Sequence, residues 1–599
     1  MEIIKMALRS RKEMNPEFTW DFSHIFKTYE DWESAYNAVY ARVDEAAAFA
    51  GRLGEGADVM KEALDTLFDL SYKAELVYLY AMLHKSADNG DPKYQEMNGR
   101  VMNLMVALSS RAAYISPEIV ALPKETVDEY LASPKLALYR HFLEDTARMA
   151  PHTLDVSKEM LLAKLSDAAS TPSNAFDMLE SVDMTFSSVK DENGEEVTIT
   201  HGNFGVFRES KDPEIRRESF EKYFGEFNKY INTFAALYEG SVKFDNFFAD
   251  IRGYSSSCEA ALFGGNIPIS VYDKLVESIH GGLGTMKKYL ALRKKVLGLE
   301  TLNMYDLYCP MVESVDFKVP YEDAKVMVKK ALAPLGEEYA KLLDEAYENK
   351  WMDVYENKGK TTGAFSCGVY GVHPYVLLNY TDSLDDAYTM AHELGHAMHS
   401  HLSNKTQEYA NHNYRIMVAE VASTVNEVLL TKYLLKTETD KQRRMYILNH
   451  FLEGFRTTVF RQTLFAEFER KAHDLLANGT PLTAEVLNKV YRELNELYYE
   501  GAYVNELQDI EWARIPHFYN AFYVYQYATG FCSAVAIANK IYETGDASDY
   551  LKFLTLGGSD YPIEELKSAG IDLTAPDTVN SALKVFADTL EEMEKLISE

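Results

Sequence analysis

Cysteine, proline, glycine and positive charge are all scarce in this 599-residue sequence. The four cysteines are widely separated and form no C-x-x-C pair, so neither a disulfide framework nor a cysteine-rich zinc site is indicated. With 17 prolines and 31 glycines, the chain is neither collagen-like nor of low complexity, and a turn-rich all-β fold is disfavoured. A hydrophobic fraction of 47% excludes a disordered chain and supports a large core that needs no structural metal.

Positive charges are outnumbered, because 61 lysines and arginines face 92 acidic residues and leave a net charge of −31. This balance argues against nucleic acid or an anionic membrane as a partner, since phosphate binding needs clustered cations. No run of 18 apolar residues occurs, so no membrane span is predicted. The apolar stretch at the N-terminus is interrupted by Lys5 and Arg9 and is too short for a signal-peptide core, and we expect a cytoplasmic protein. The sequence does not indicate an oligomeric state.

Most of the chain repeats apolar residues with the period of an α-helix, as in residues 64–78 and 104–115. Strand signals are few. Residues 184–189 and 197–200, with Asn193-Gly194 between them, predict a β-hairpin. This hairpin is the best candidate for a boundary between two lobes.

A second strand is predicted at residues 375–380, with residues 363–366 as a short partner. An edge strand at this place is suited to align a peptide by backbone pairing, and an ordinary buried strand is the alternative. From Ser383 onward the pattern returns to helix. We therefore expect a mostly α, multi-helical protein with a small β-sheet next to the helix that begins near Ser383.

Residues 392–396 have the sequence HELGH, which matches the pattern H-E-x-x-H. Two histidines four residues apart lie on one face of a helix, so both imidazoles reach one metal ion. Glu393 points to the adjoining edge, where it is placed to accept a proton from an attacking water molecule. Ser383 and Asp386 predict the start of this helix as a capping box. A helix with two incidental histidines is the disfavoured alternative.

A catalytic zinc ion needs a third protein ligand. The metzincin extension fails because His399 and Leu402 stand where it requires glycine and histidine, and the thermolysin-like position is Ile416. The remaining candidates downstream are Glu408, His412, Glu420 and Glu427.

Glu420 and Glu427 are seven residues apart in a strongly apolar helical segment and therefore share a face. Burying a carboxylate in such a helix is costly without a partner. One of the two is suited to bind the metal while the other orients a ligand imidazole. A solvent-facing side chain is the alternative, and this alternative is favoured for Glu427.

The motif in residues 392–399 is followed after a loop by VAEVAST in residues 418–424. In this order the motifs resemble the thimet oligopeptidase superfamily of zinc metallopeptidases, and most of all its oligoendopeptidase F branch. The resemblance extends over nearly the whole chain. Further similar segments are residues 20–26, 252–254, 259–260, 266–268, 374–380, 515–519 and 523–527.

The resemblance implies a set of site residues. By it, Glu393 is the general base of a hydrolysis reaction, and one zinc ion per chain is bound by His392, His396 and Glu420. The family also supplies donors to the oxyanion of a tetrahedral intermediate, and in this chain they are His517, Tyr523 and Tyr527.

For the aromatic donors, the sequence predicts the relative position of two residues and leaves the identity of a third open. Tyr523 and Tyr527 are four residues apart and are predicted to share a helix face. Tyr519 competes with His517 for its role, because the alignment to distant family members is shifted by one residue.

The resemblance also implies a two-lobed protein with a deep substrate channel that admits short unfolded peptides. The lobes would be a helical N-terminal lobe at 1–200, ending in the hairpin, and a catalytic domain at 201–599. The resemblance also favours a substrate-aligning role for the strand at 375–380. The function implied is a zinc-dependent endopeptidase for short oligopeptides. The alternatives are a related zinc carboxypeptidase or dipeptidyl carboxypeptidase and, from another class, a non-catalytic helical peptide-binding scaffold, against which the intact Glu393 argues.

Overall fold

A computed structural model of the chain describes residues 8–312 and 317–599. Residues 1–7, on which the prediction about a signal peptide rests in part, lie outside the described residues. Helices dominate, which confirms the predicted mostly α class. The α-helices of the described residues are α1 (Tyr29–Arg42), α2 (Ala57–Ala87), α3 (Pro92–Ala112), α4 (Ile115–Val120), α5 (Lys124–Ala132), α6 (Arg140–Ala147), α7 (Val156–Ala169), α8 (Thr171–Met178), α9 (Phe204–Glu209), α10 (Pro213–Lys229), α11 (Ile231–Ile251), α12 (Ser257–Phe263), α13 (Ile269–Val296), α14 (Tyr321–Ala331), α15 (Glu337–Glu348), α16 (Leu384–Thr406), α17 (Ile416–Thr437), α18 (Lys441–Gly454), α19 (Arg461–Ala477), α20 (Ala484–Tyr498), α21 (Tyr525–Thr544), α22 (Ser548–Phe553), α23 (Pro562–Ser568) and α24 (Asp577–Ser598).

The predicted hairpin is present and short. Strand β1 (Ser188–Lys190) pairs antiparallel with β2 (Glu196–Thr198). The Asp191 side chain accepts hydrogen bonds from two backbone N–H groups of the connecting loop. The ladder reaches one residue closer to this turn than the sequence pattern suggested and ends earlier at the opposite end. Gly194 has a φ of 79°, the left-handed conformation that favours glycine in such a turn.

The second sheet corrects one expectation. Strand β5 (Tyr375–Leu377) lies between β3 (Met352–Asp353), to which it is parallel, and β4 (Phe365–Cys367), to which it is antiparallel. The expectation that the strand at 375–380 is an edge strand is therefore wrong, because both of its backbone edges are already paired. Strand β3 has two residues, too few to leave a periodic signal in the sequence.

The chain divides into two compact units, each assembled from three segments of sequence. The first comprises Met1–Thr153, Phe317–Tyr433 and Ile537–Gly570. The second comprises Leu154–Asp316, Leu434–Ala536 and Ile571–Glu599. The division into an N-terminal lobe at 1–200 and a catalytic domain at 201–599 stays a prediction.

In the first unit, the small sheet connects the N-terminal segment to the metal-motif helix. The indole N–H of Trp20 is shared between the carbonyl groups of Trp351 and Val376, which lie in or beside β3 and β5. Helix α16 packs on β4 and β5. Trp20 is buried and belongs to the same apolar cluster as Tyr375 and Leu377 of β5. Burial of this cluster stabilises the sheet on which α16 packs.

The second unit is a helical assembly with an aromatic core. The ring of Tyr223 on α10 stacks on Phe204 and Phe186, with ring centroids 3.9 Å and 4.8 Å apart. Helix α13 packs closely on α24, where a Cβ at Gly282 would lie 2.9 Å from the Leu583 side chain. Across residues 8–312 and 317–599, no helix combines the length and apolarity needed to cross a membrane.

Candidate metal site

Helix α16 carries the H-E-x-x-H motif and begins as the sequence predicts. Ser383 is its N-cap, and the Ser383 hydroxyl accepts a hydrogen bond from the Asp386 N–H. In turn, the Asp386 carboxylate accepts a hydrogen bond from the Ser383 N–H. This reciprocal capping box satisfies donors that a helix end leaves unpaired. Because the helix start is defined, the register of both motif histidines is defined with it.

Helix α17 approaches α16 unusually closely at the motif. A Cβ built on Gly395 would lie 2.5 Å from Ser423 Cα and 2.6 Å from Ala422 O, distances that no side chain tolerates. Asn426 Nδ2 donates to the carbonyl of Ala391 at 3.0 Å, one residue before the motif. Glycine at the fourth motif position therefore lets the second helix bring its carboxylates to the two histidines.

Three donor atoms converge in the first unit. The Nε2 atoms of His392 and His396 are 3.2 Å apart, and Glu420 Oε2 lies 3.5 Å and 3.8 Å from them. Ligands of a tetrahedral zinc ion at metal–ligand distances near 2.0–2.1 Å lie about 3.3 Å from one another. Among the described residues, this is the one group of three or more His, Cys, Asp or Glu side chains whose ligand atoms are close enough to share an ion. The side chains present therefore fit the expected zinc ion.

Each histidine is oriented by a second hydrogen bond on the far side of its ring. The Nδ1 atom of His392 lies 2.5 Å from Glu427 Oε1, and His396 bonds to the backbone of Ala419. These contacts direct both Nε2 lone pairs towards the shared position, as in other histidine-ligated metal sites. The favoured interpretation of Glu427 as solvent-facing is therefore wrong, and its alternative as the group that orients an imidazole is correct.

The charge around His392 favours a cation. Burial alone would lower the pKa of His392, but the hydrogen bond to Glu427 and the charges of Glu427, Glu393 and Glu420 outweigh burial and raise that pKa to about 9. The neighbouring His396 has its pKa lowered to about 3, first by burial and then by the adjacent His392. The same carboxylates would stabilise the charge of a metal ion bound by the neutral imidazole, which must first release its proton.

Glu393 lies beside the three donors and outside their group. Its side chain is largely buried, and its Oε2 atom has no hydrogen-bond partner among the described residues. Burial, with a smaller contribution from the charges of Glu420 and Glu427, raises its pKa to about 7 against the opposing effect of His392. A buried carboxylate oxygen without a partner, with a pKa near neutrality, has the properties of a general base.

The other histidine and carboxylate candidates lie elsewhere. His399 is almost fully buried and stacks on Tyr414 with ring centroids 3.7 Å apart, as a structural side chain. His412 Nδ1 bonds to the carbonyl of Tyr409 at 2.6 Å. Neither these two histidines nor Glu408 belongs to the metal group found among the described residues.

The aromatic donors form their own group in the second unit. The ring of Tyr523 lies 5.4 Å from that of Tyr527 and 6.4 Å from that of His517, and Tyr527 Oη lies 3.5 Å from His517 Nε2. Tyr519 packs instead against Phe176, with ring centroids 4.6 Å apart, which favours His517 over Tyr519. The expectation that Tyr523 shares a helix face with Tyr527 is wrong, because α21 begins at Tyr525; a turn around Phe522, with a φ of 58°, positions Tyr523.

Comparison with known proteins assigns the chain to a family. The model of Peptidase family M3 matches residues 206–585, and the model described as Oligopeptidase F matches residues 118–186. The chain therefore belongs to peptidase family M3, and the resemblance read from its motifs is confirmed.

Relatives match over the whole length. The chain is 44% identical to Oligopeptidase PepF of Bacillus subtilis (strain 168), over 98% of this chain and 89% of the relative. It is 38% identical to an oligoendopeptidase F homolog of Lactococcus lactis subsp. lactis, over 98% of this chain and 99% of the relative. The family and these relatives make the chain a peptidase.

Solved structures agree with the fold. A putative peptidase from Chlamydophila abortus is matched with a TM-score of 0.94 at 33% identity, over 98% of this chain and 100% of the other. Oligoendopeptidase-F from Enterococcus faecium is matched with a TM-score of 0.73 at 35% identity, over 95% of this chain and 99% of the other.

Proposed function

We propose that the chain is a zinc-dependent endopeptidase that hydrolyses short unfolded oligopeptides. The observation that carries this proposal is the convergence of His392 Nε2, His396 Nε2 and Glu420 Oε2 beside the unpaired Oε2 of Glu393. Two histidines and a carboxylate leave one position of a tetrahedral ion open, as catalytic rather than structural zinc sites do. A zinc ion bound there supplies Lewis acidity, which acidifies water and polarises a carbonyl group.

The residues of the chain have separate roles in this reaction. Glu393 accepts a proton from the attacking water molecule and delivers it to the leaving amine, since its pKa of about 7 suits both steps. Glu427 orients the His392 imidazole. Tyr523, Tyr527 and His517 donate hydrogen bonds to the developing oxyanion, where fixed donors contribute most to the rate.

The proposal has two further parts. By the resemblance to the family, a substrate channel limits entry to short unfolded peptides. The protein acts in the cytoplasm, where the reducing environment suits its four free cysteines. The backbone edge needed to align a peptide is that of β4, one of the two edge strands of its sheet within the described residues and a strand on which the metal-motif helix α16 packs.

The Glu393→Gln variant tests the catalytic role. This variant keeps the shape of the side chain and removes its basicity, so we expect equal zinc content by mass spectrometry and at least a 10²-fold loss in cleavage of a quenched fluorescent peptide. Glu338→Gln, at a side chain that is 87% exposed on α15, is the matched control and should retain full activity. Parental activity in a zinc-loaded Glu393→Gln protein would overturn the mechanism.

Product analysis separates the endopeptidase from its alternatives. A carboxypeptidase or dipeptidyl carboxypeptidase needs a free C-terminus, whereas an endopeptidase cleaves peptides with free and amidated ends at similar rates. We therefore expect internal cleavage of both forms in a peptide length series read by mass spectrometry. No cleavage of any peptide together with no stoichiometric zinc would favour a non-catalytic scaffold.

A further inference from the structure

A small cavity in the second unit is lined by an excess of positive charge. Its walls include Arg208, Arg456 and Arg461 around the ring of Tyr308, and Glu511 is the one carboxylate among the described residues that line it. The guanidinium carbons of Arg208 and Arg456 lie 3.7 Å and 4.5 Å from the centre of the Tyr308 ring. Two cations therefore lie over one aromatic ring, and Arg461 and one anion line the same cavity.

Neighbouring carboxylates do not neutralise this charge. Glu511 accepts a hydrogen bond from Arg461 at 2.7 Å and also faces Arg514 at 3.7 Å. Glu453 pairs with Arg456 at 2.7 Å and with Arg293 as well. Each carboxylate is therefore shared between two guanidinium groups. Within the described residues, five arginines face two carboxylates here: Arg208, Arg293, Arg456, Arg461 and Arg514 against Glu453 and Glu511.

Two donors in this cluster are left unpaired. The Nε atoms of Arg208 and Arg514 are buried without a hydrogen-bond partner among residues 8–312 and 317–599. A buried cation is stable only when paired, and an unpaired buried N–H group costs the energy of its lost hydration. Arg208 lines the cavity and Arg514 lies beside it through Glu511, so the unpaired Nε of Arg208 indicates that an anion belongs in the cavity.

The electrostatics of Tyr308 agree with a strongly positive cavity. Burial alone would raise the pKa of its phenol, but Arg461, Arg208 and Arg456 outweigh burial and lower that pKa to about 7. Even a Tyr308 phenolate would leave arginines in excess over anionic groups in this cluster.

We propose that this cavity binds one chloride ion through the Arg208, Arg456 and Arg461 guanidinium groups. The free space in the cavity is small, about 10 Å³ for the centre of a water-sized sphere, so it has room for one small occupant such as a monatomic anion. A peptide carboxylate or a phosphate group is too large. Arginine suits the role because its guanidinium group is weakly hydrated and always charged.

Bromide provides the direct test on the unmodified protein. Crystals soaked in sodium bromide should give an anomalous difference peak in the cavity beside Arg208. A data set with bromide peaks at the surface and none in the cavity would overturn the proposal.

Thermal unfolding gives a test in solution. At equal ionic strength, chloride should raise the melting temperature by about 1–3 °C over gluconate, which is too large to enter, and the rise should saturate. Arg208→Gln should remove the chloride-specific rise. Arg217→Gln, at an exposed arginine of α10 that pairs with Glu214 and Glu221, should keep it. If Arg208→Gln does not fold, the bromide experiment decides; equal melting curves of the parent in both salts would contradict the site.

Discussion

The Nδ1 atom of His392 lies 2.5 Å from Glu427 Oε1, across the contact between α16 and α17. This contact directs the opposite nitrogen of the ring towards His396 and Glu420. Helix α17 thus contributes two carboxylates two turns apart, one on each side of the His392 imidazole. The spacing of seven residues places both carboxylates on one helix face, and this is why both reach the same imidazole.

The first prediction concerns Glu427. Glu427→Ala leaves the His392 ring free to turn, so zinc affinity should fall about 10–100-fold in a competition titration with a chelator. Glu427→Gln keeps an acceptor for the Nδ1–H group and should recover much of that loss. Equal zinc affinity in the parent and the alanine variant would show that Glu427 does not orient the ring.

The second prediction concerns Gly395. A methyl group there meets Ser423 Cα at 2.5 Å, so Gly395→Ala should separate α16 from α17, destabilise the fold by about 1–3 kcal/mol and weaken zinc binding. Gly281→Ala is the matched control, because Gly281 lies in the interior of α13 with no atom within 4 Å of its would-be Cβ. Alanine there should leave zinc binding intact and stabilise the helix by up to about 1 kcal/mol. The measurements are urea unfolding and zinc titration of both variants.

The third prediction concerns the oxyanion donors and rests on the proposed function. Removing one donor from such a site costs about 10²–10³ in kcat. Tyr527→Phe and Tyr523→Phe should therefore lower kcat by about this factor with a smaller change in KM and no change in zinc content. Tyr503→Phe, at a tyrosine that is 58% exposed, should have parental kinetics. A loss confined to KM would assign the tyrosines to substrate binding alone.

The fourth prediction is a pH effect on stability at Glu565 of α23, far in sequence from the metal ligands. Burial raises the pKa of Glu565 to about 8 from an ordinary value of 4.5, so the folded chain holds a proton there that the unfolded chain releases. Its contribution to stability is complete below pH 4.5 and is lost as the pH rises to 8, at up to about 1.4 kcal/mol per pH unit.

The Glu565→Gln variant tests this sign. Between pH 5 and pH 8, the melting temperature of the parent should fall further than that of the variant. At pH 8 the variant should be the more stable of the two. Glu564→Gln, at the neighbouring exposed carboxylate that pairs with Lys567, should behave as the parent. Identical pH slopes for the parent and Glu565→Gln would contradict the raised pKa.

Local features of the site could be predicted from the sequence because they depend on residues near one another in the chain. The capping box at Ser383, the shared face of the two motif histidines and the turn at Gly194 all follow from helical or turn geometry over a few residues. The family was also recognisable, because its motifs occur in order along nearly the whole chain.

Features that depend on distant contacts were missed or left open. The two-residue strand β3 places β5 in the centre of its sheet, and no periodic pattern marks a strand so short. The turn at Phe522, rather than a helix, positions Tyr523. Gly395 had one usable signal, a glycine inside a strong helical pattern, but the helix it faces could not be known from that signal alone.

The sequence by itself determined the helical class and the peptidase family, because both depend on local spacing and ordered motifs, and the resemblance predicted His392, His396 and Glu420 as the metal-binding group. The tertiary structure decided how Glu420 and Glu427 are placed, because only the packing of α17 on α16 brings Glu420 to the two histidines and Glu427 to the other side of the His392 imidazole. It also revealed the arginine cluster around Tyr308, which extends over about 300 residues of the sequence, from Arg208 to Arg514. An excess of positive charge has a large energetic effect only where burial has removed the water that would screen it.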